Sequence, residues 1–517
     1  MRLTIYASRL LSIIVLTTML ACNKSISGTT ANLPRLNPSN EDLTAGTWKT
    51  ILLSRPDTFV VAAPAATTSP AYTADLEEIE GYQTHMTSAL QSQINYWSAG
   101  GVLRWNEIMR DLVAKYNLAP YQNANGTYPI PSSTNPFAYP LFPFSNPPYA
   151  ARAYAYVSAA QYDALVACWH YKTLYKRNAP YVNDSIIKPL AGRTNLPSYP
   201  SEGAVLAGVT AELMQLFFPD EIATIQQDLA QQELSLIASG AAARSDVTAG
   251  EALGRQVADV FIARGKADNA GKAVGSATIW AAYVTTAQAQ NQIPWYSLET
   301  PTRPPMLPLF GAVKGFLVDS AAVASLDPGP PPSTSSDSMK AQTEAAYNTV
   351  KNATREQLGI VQLWADGTGT WTPPGHWNYI AEQDFINQNY SEVRWARNMA
   401  LLNMAEMDAA IVCWHVKYEY FNPRPTQMDP AIRTLTGVPN FPSYISGHSM
   451  FSSAAATILG HIIPARAQAY AALAQQAADS RIYAGIHYTI DCTVGMTVGQ
   501  KVGNYAVTRA ESDGADQ

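Results

Sequence analysis

The chain has 517 residues, 47% of them hydrophobic and only 14% charged, which is enough apolar material for one large core or two domains and too much for a disordered protein. Its formal net charge of −6 gives no support for nucleic-acid binding. A local cluster of cations therefore stands out against a mildly acidic whole.

Arg2 and Arg9 precede an apolar run from Leu10 to Ala21 that is short for a membrane span and ends at Cys22. Met19-Leu20-Ala21-Cys22 resembles a bacterial lipoprotein processing site. Residues 1–22 are thus expected to be a lipoprotein-type signal peptide, Cys22 the lipidated residue, and residues 23–75 a flexible tether. A plain cleaved signal peptide is the alternative. The chain is expected to be exported, as an outer-membrane or periplasmic lipoprotein held by its lipid anchor only. No later segment has the continuous apolar length of a transmembrane helix.

Downstream, the pattern predicts an all-α protein. Ala150 to Tyr175, Glu202 to Phe218, Asp220 to Ser239, Ser391 to Lys417, Ser449 to His461 and Ala465 to Tyr483 are rich in Ala, Leu and Gln, with apolar residues recurring at three and four. Alternating strand patterns are scarce. Proline-rich stretches fall at Pro131 to Pro148 and at 301–340, the second carrying Pro328-Gly329-Pro330-Pro331-Pro332. The expected division is an N-terminal helical half over 76–300, a Pro-rich linker over 301–340, and a C-terminal catalytic half over 341–517. Cys168, Cys413 and Cys492 lie in apolar, helical-looking stretches and read as small buried hydrophobes rather than disulfide or metal partners.

The two halves are related. The run from Asp163 to Lys172 mirrors that from Asp408 to Lys417 at an offset of 245 residues, and at the same offset Pro197-Ser198-Tyr199 matches Pro442-Ser443-Tyr444, Ser201 matches Ser446 and Pro219 matches Pro464. A register held without gaps over this length predicts two duplicated helical bundles packed together. Lys172 is kept in the first copy, but Ala179, Glu202 and Gly203 stand where the second copy has Arg424, Gly447 and His448. A carboxylate repels an anion, so the active site is expected in the C-terminal bundle alone.

There the sequence carries Lys417, then Arg424-Pro425 after six residues, then Ser446-Gly447-His448, then Ser480-Arg481, His487 and Asp491. Arg supplies a planar fork that pairs two oxygens at once, and Lys a movable point charge. Ser446 and Gly447 precede the apolar run Met450 to Ile463, which reads as a helix, so the Ser446 hydroxyl and the Gly447 N–H are expected to face an anion along the helix dipole. His487 and Asp491, four apart, share a face if a helix runs through them, so that Asp491 orients the imidazole and favours its charged form. The ligand this pattern predicts is a tetrahedral oxyanion.

The order and spacing of these residues resemble the type 2 phosphatidic acid phosphatase and vanadium haloperoxidase superfamily, with its blocks Lys-x6-Arg-Pro, Pro-Ser-Gly-His and Ser-Arg-x5-His-x3-Asp. The first and third blocks match in full; in the second, Ile445 stands where the family has Pro. The resemblance implies a haloperoxidase in which His487 binds vanadate, Lys417, Arg424, Ser446, Gly447 and Arg481 cradle its oxygens, His448 acts as acid/base, Lys417 polarises peroxide, and hydrogen peroxide oxidises halide. It equally implies a metal-free acid phosphatase in which His487 attacks the phosphorus of a small phosphate ester and His448 protonates the leaving oxygen. A surface lipoprotein that binds the oxyanion without turnover is a third reading, opposed by the retention of both histidines. Trp414 and Phe441 resemble the aromatics that line the halide side in the chloroperoxidase branch. Trp364-Ala365-Asp366-Gly367 with Thr372-Pro373-Pro374 resembles the segment by which that branch sets an Asp beside a cradle arginine, so Asp366 is expected to hold Arg481 or a neighbouring cation. His170 and His415 are repeat-equivalent and read as structural, and His376 as a residue of the entrance.

Overall fold

The computed structural model of the chain describes residues 33–117, 146–300 and 302–516. Cys22 and the expected signal peptide lie outside the described residues. Helices α1 (Pro70–Thr84), α2 (Ser88–Trp97) and α3 (Gly101–Tyr116) lead into a first set, α4 (Pro147–Tyr175), α5 (Pro180–Asn183), α6 (Glu202–Phe217), α7 (Ile222–Ala238) and α8 (Arg244–Lys266). A middle group follows: α9 (Ala277–Ala289), α10 (Ser320–Ser325), α11 (Asp337–Lys351), α12 (Arg355–Leu363) and α13 (Thr372–Phe385). The last set is α14 (Glu392–Tyr420), α15 (Pro425–Met428), α16 (Gly447–Ile462), α17 (Ala467–Tyr483) and α18 (Thr489–Glu511). Among the described residues there is no strand, and no helix is long and apolar enough to cross a membrane. The fold is all-α.

Every bound of α14 to α18 is the bound of α4 to α8 moved by the same offset, so the duplication extends well beyond the matched sequence. Local signals repeat with it. Asn146 and Ser391 cap the N-termini of α4 and α14 by accepting from the third residue on, and Lys176 and Phe421 end them in the left-handed region. Arg152 of α4 bonds Asp268 and the Gly265 carbonyl, while Arg397 of α14 bonds Asp513 and the Ala510 carbonyl. Asn403 donates to Ser158 Oγ across 3.0 Å, and these two positions are themselves repeat partners, 245 apart. A residue touching its own equivalent lies on a pseudo-two-fold axis, so α4 and α14 cross there at the centre of the molecule.

Two expectations change. Residues 33–69, read as part of a flexible tether, pack on the body: Trp48 and Leu53 are buried, and the backbone N–H groups of Ile51, Leu52 and Leu53 donate to the Asp163 carboxylate at 2.6–2.9 Å. The stretch 301–340, read as a linker, does the same in the second copy, where Phe316, Leu317 and Val318 donate to Asp408 at 2.6–2.9 Å. In each copy a glycine brings the strap against the long helix. A Cβ on Gly46 would lie 2.5 Å from the His170 nitrogen, and one on Gly311 2.6 Å from the His415 Cα. The 301–340 stretch is therefore the N-terminal strap of the second copy. The second unit begins before residue 341, and the apolar residues of both straps are what pull them from solvent.

Between the copies runs a buried polar seam. Asn106 of α3 bonds Asn378 of α13, Asn378 bonds Asn403, and Arg110 of α3 pairs with Glu382 of α13. Asn117, just after α3, donates to the carbonyls of Gly367 and Thr370 in the loop before α13. The first copy thereby fixes the loop that carries Asp366.

Candidate active site

Three backbone devices bring the motif together. Gly495 and Gly499 let α18 lie on the backbone of α16: a Cβ there would approach the Ser446 carbonyl to 3.0 Å and the Met450 carbonyl to 2.6 Å. That contact sets the start of α18 beside the start of α16, where the Ser446 N–H donates to the Asp491 carbonyl at 3.0 Å. The loop 436–446 then folds over the C-terminal end of α14, because Lys417 Nζ donates to the carbonyls of Pro442 (2.8 Å) and Ser443 (2.9 Å).

His487 is 3% exposed and precedes α18 rather than lying on it. Its bond to Asp491 comes from the cap and not from a shared helical face. Asp491 Oδ2 lies 2.9 Å from His487 Nδ1, accepts from Ser443 Oγ at 2.6 Å, and reaches back to the Tyr488 N–H at 3.1 Å, as a third-position carboxylate does at a helix start. On the other ring nitrogen, Nε2 meets Arg424 Nη1 at 3.0 Å. A guanidinium only donates and an ionised carboxylate only accepts, which assigns the Nδ1–H tautomer with the lone pair on Nε2. Burial, reinforced by Arg424, Lys417 and Arg481, holds the imidazole far below its ordinary value. The expectation that Asp491 favours the charged ring is thus corrected, since desolvation and three cations outweigh one carboxylate, itself pushed up by burial to about 6.

The cations divide into floor and wall. Arg424, fully buried, donates to the carbonyls of Phe441 (2.9 and 3.0 Å) and Ile486 (2.8 Å), and with Lys417 forms the floor behind His487. Both stand about 5 Å from the centre of the Phe441 ring, over its face. Burial pushes Lys417 down to about 7, with Arg424 adding to the effect. Arg481 of α17 lines the cleft itself, as do Gly447, His448 and His487. The cleft holds about 440 Å³ and is walled by Trp414 and Phe441, whose rings are 5.0 Å apart. Ser446 falls behind this surface: it is the N-cap of α16 and its hydroxyl accepts from Ser449 N at 3.3 Å.

Asp366 departs from its expected partner. Its Oδ1 takes a hydrogen bond from His376 Nδ1 at 3.0 Å and its Oδ2 lies 3.5 Å from His448 Nε2, while Arg481 bonds Ser480 Oγ and the Val361 carbonyl instead. Burial opposes ionisation, but the two imidazoles hold this carboxyl well below its usual range. Burial and Arg481 push His448 down to about 4 against the pull of Asp366. His376, read from sequence as an entrance residue, is a partner of this carboxylate. Ser443 had no assignment, although its match to Ser198, and that of Asp491 to Asp246, was legible at the repeat offset.

This donor set fits a tetrahedral oxyanion such as vanadate or phosphate. His448 lines the cleft beside Gly447, Arg481 and His487, with its Nε2 turned to the Asp366 carboxylate. Gly447 is glycine for no packing reason, because a Cβ there would meet only Phe451 and Trp414, at 3.9 Å; a side chain would intrude on the cleft. The first copy supplies the contrast. There Glu202 bonds the Trp169 indole and pairs with Lys172, and Arg177 pairs with Asp246. Its charges are satisfied internally.

Residues 399–510, within the second copy, match the family model of the PAP2 superfamily. No curated protein matches the chain. Among solved structures, the first bacterial vanadium-dependent iodoperoxidase shares 21% identity with a TM-score of 0.57, over 78% of this chain and 96% of that one. Apo and holo forms of a bacterial vanadium-dependent chloroperoxidase share 13% and 12% identity, with TM-scores of 0.49 and 0.46, over 71% and 76% of this chain and 94% and 96% of theirs. The likeness to the iodoperoxidase supports the all-α fold.

Proposed function

We propose that this chain is an enzyme of the PAP2 superfamily, and more finely a vanadate-dependent haloperoxidase that uses hydrogen peroxide to oxidise halide. The observation that carries the reading is His487, buried with Nδ1 on Asp491 and Nε2 3.0 Å from Arg424 Nη1, which lines one cleft with Arg481 and a second imidazole, His448. Vanadate, when bound, supplies the centre on which peroxide is activated.

The chain's own residues do the rest. Asp491 and Ser443 fix the His487 ring so that Nε2 is the nitrogen that would hold vanadate. Arg424, Arg481 and Lys417, all buried side chains, neutralise oxyanion charge where each is worth more than in bulk solvent. His448 gives and takes the proton, and Asp366 holds its Nε2 side. Trp414 and Phe441 offer a weakly hydrated halide an apolar wall. Anchoring through Cys22 belongs to the same proposal and would put this chemistry outside the cytoplasm, at the outer membrane or in the periplasm.

The match of residues 399–510 favours one other reading, a metal-free acid phosphatase, since a neutral nucleophile facing an acid also suits a small phosphate ester. One protein sample assayed with and without orthovanadate separates the two. Peroxide-dependent halide oxidation that requires vanadate is the expected result. Phosphate-ester cleavage that vanadate inhibits selects the phosphatase. Binding with neither activity points to an oxyanion-binding lipoprotein and overturns both.

A further inference from the structure

His376 lies outside the motif, yet its environment is built with care. Its ring stacks on Trp364 at 4.4 Å between centroids, and Trp364 is locked in turn by a 3.0 Å bond from its indole N–H to Gln476. Nδ1 of His376 lies 3.0 Å from Asp366 Oδ1, and the other oxygen of that carboxylate faces His448. The Asp366 backbone has φ of 44°, in the left-handed region that few non-glycine residues occupy, and the loop around it is clamped from the first copy by Asn117. The arrangement is a chain of three side chains from α13, the α12–α13 loop and α16, leading from a partly exposed imidazole to the cleft.

We infer that His376 is a positioning residue for the reaction: by donating its Nδ1–H to Asp366 it holds that carboxylate against His448 and so sets the orientation and charge of the acid/base imidazole. This rests on the reading of His448 as the acid/base of the site. Two alternatives for His376 are weaker. A purely packing role requires the Trp364 stack but no carboxylate at hydrogen-bond distance. A role in holding the oxyanion would require its nitrogen at the cleft, whereas Nδ1 is spent on Asp366 and His376 is not among the residues that line the cleft. The charged and titratable groups that bear on this pair are Asp366, Arg481 from α17, and His487.

Two substitutions separate the ring from the donor. His376→Phe keeps an aromatic on Trp364 and removes the N–H; His376→Asn keeps a donor near the Nδ1 position and removes the stack. In the vanadate-loaded enzyme, His376→Phe is expected to lower kcat by about tenfold or more, as the loss of an outer-shell partner of an active-site imidazole does, with orthovanadate affinity within about twofold of the parent. His376→Asn is expected to recover most of kcat. Equal losses in both variants, or lost vanadate affinity with kcat intact, would overturn the inference. A readout free of turnover keeps this test apart from the haloperoxidase reading: the imidazole nitrogen resonances of His448 should shift in His376→Phe and return toward the parent in His376→Asn. If they do not move, His376 is not coupled to His448, whatever reaction the enzyme performs.

Discussion

Lys417 shows how burial rewrites what a motif spells. Its ordinary value near 10.5 falls to about 7 because the ammonium is fully buried beside Arg424, although it donates to two carbonyls. The folded value is depressed, so folding favours the neutral amine: the stability it brings is complete above the ordinary value and is lost as pH falls through about 7. For binding the sign is the reverse, because an oxyanion wants the charged form. The affinity advantage of the parent over Lys417→Met for orthovanadate should be largest below about pH 7 and shrink by up to about tenfold per pH unit above it. Measuring both proteins at each pH cancels the titration of the ligand itself, and an advantage that stays constant across the range would contradict the account. The positions of Lys417, Arg424, Arg481 and His487 were legible because spacing along the chain is what a motif records. Their charge states were not, because no spacing records depth or the number of neighbouring cations. The bond from His376 to Asp366 was not legible for a related reason: the two are ten residues apart, and Asp366 lies in a loop whose path depends on Asn117 of the other copy.

The five helices of each copy were partly visible as apolar periodicity. The ones missed carry their own explanation. Helix α18 contains Gly495, Gly499 and Gly503, and glycine lowers helix propensity by roughly 1 kcal/mol per residue, so intrinsic preference argues against a helix that close packing on α16 nevertheless requires. The straps were missed because a segment held by its backbone amides shows neither helical nor strand period. Those amides make a sharp prediction. Asp408→Ala would leave one buried and two partly buried N–H groups without an acceptor, at about 1–3 kcal/mol each before local relaxation, so a loss of about 3 kcal/mol or more is expected in denaturant unfolding. Asp163→Ala, which strips the equivalent three donors, should cost a similar amount despite its distance from the candidate site. A loss below about 1 kcal/mol in either variant would show that the straps do not depend on these carboxylates.

At the scale of the molecule, duplication has separated two tasks that began as one. The second copy keeps an open cleft lined by Gly447, the proposed anion site, while the first has filled its equivalent from within: Glu202 stands where Gly447 does and pairs with Lys172, and Arg177 takes the Asp246 carboxylate whose counterpart, Asp491, serves His487. The first copy remains part of the machinery by packing, since α3 and Asn117 fix α13 and the Asp366 loop across the seam. Substitution within the duplicated frame was readable from the sequence; the cross-copy support was not, because it joins residues more than 200 positions apart. The central claim is one oxyanion site per chain, built on His487. Titration of the purified protein with orthovanadate by calorimetry tests it most directly. A stoichiometry of one per chain, abolished in His487→Ala and unchanged in Lys172→Ala, is the predicted result; two equivalents per chain, or binding that survives intact in His487→Ala, would contradict it.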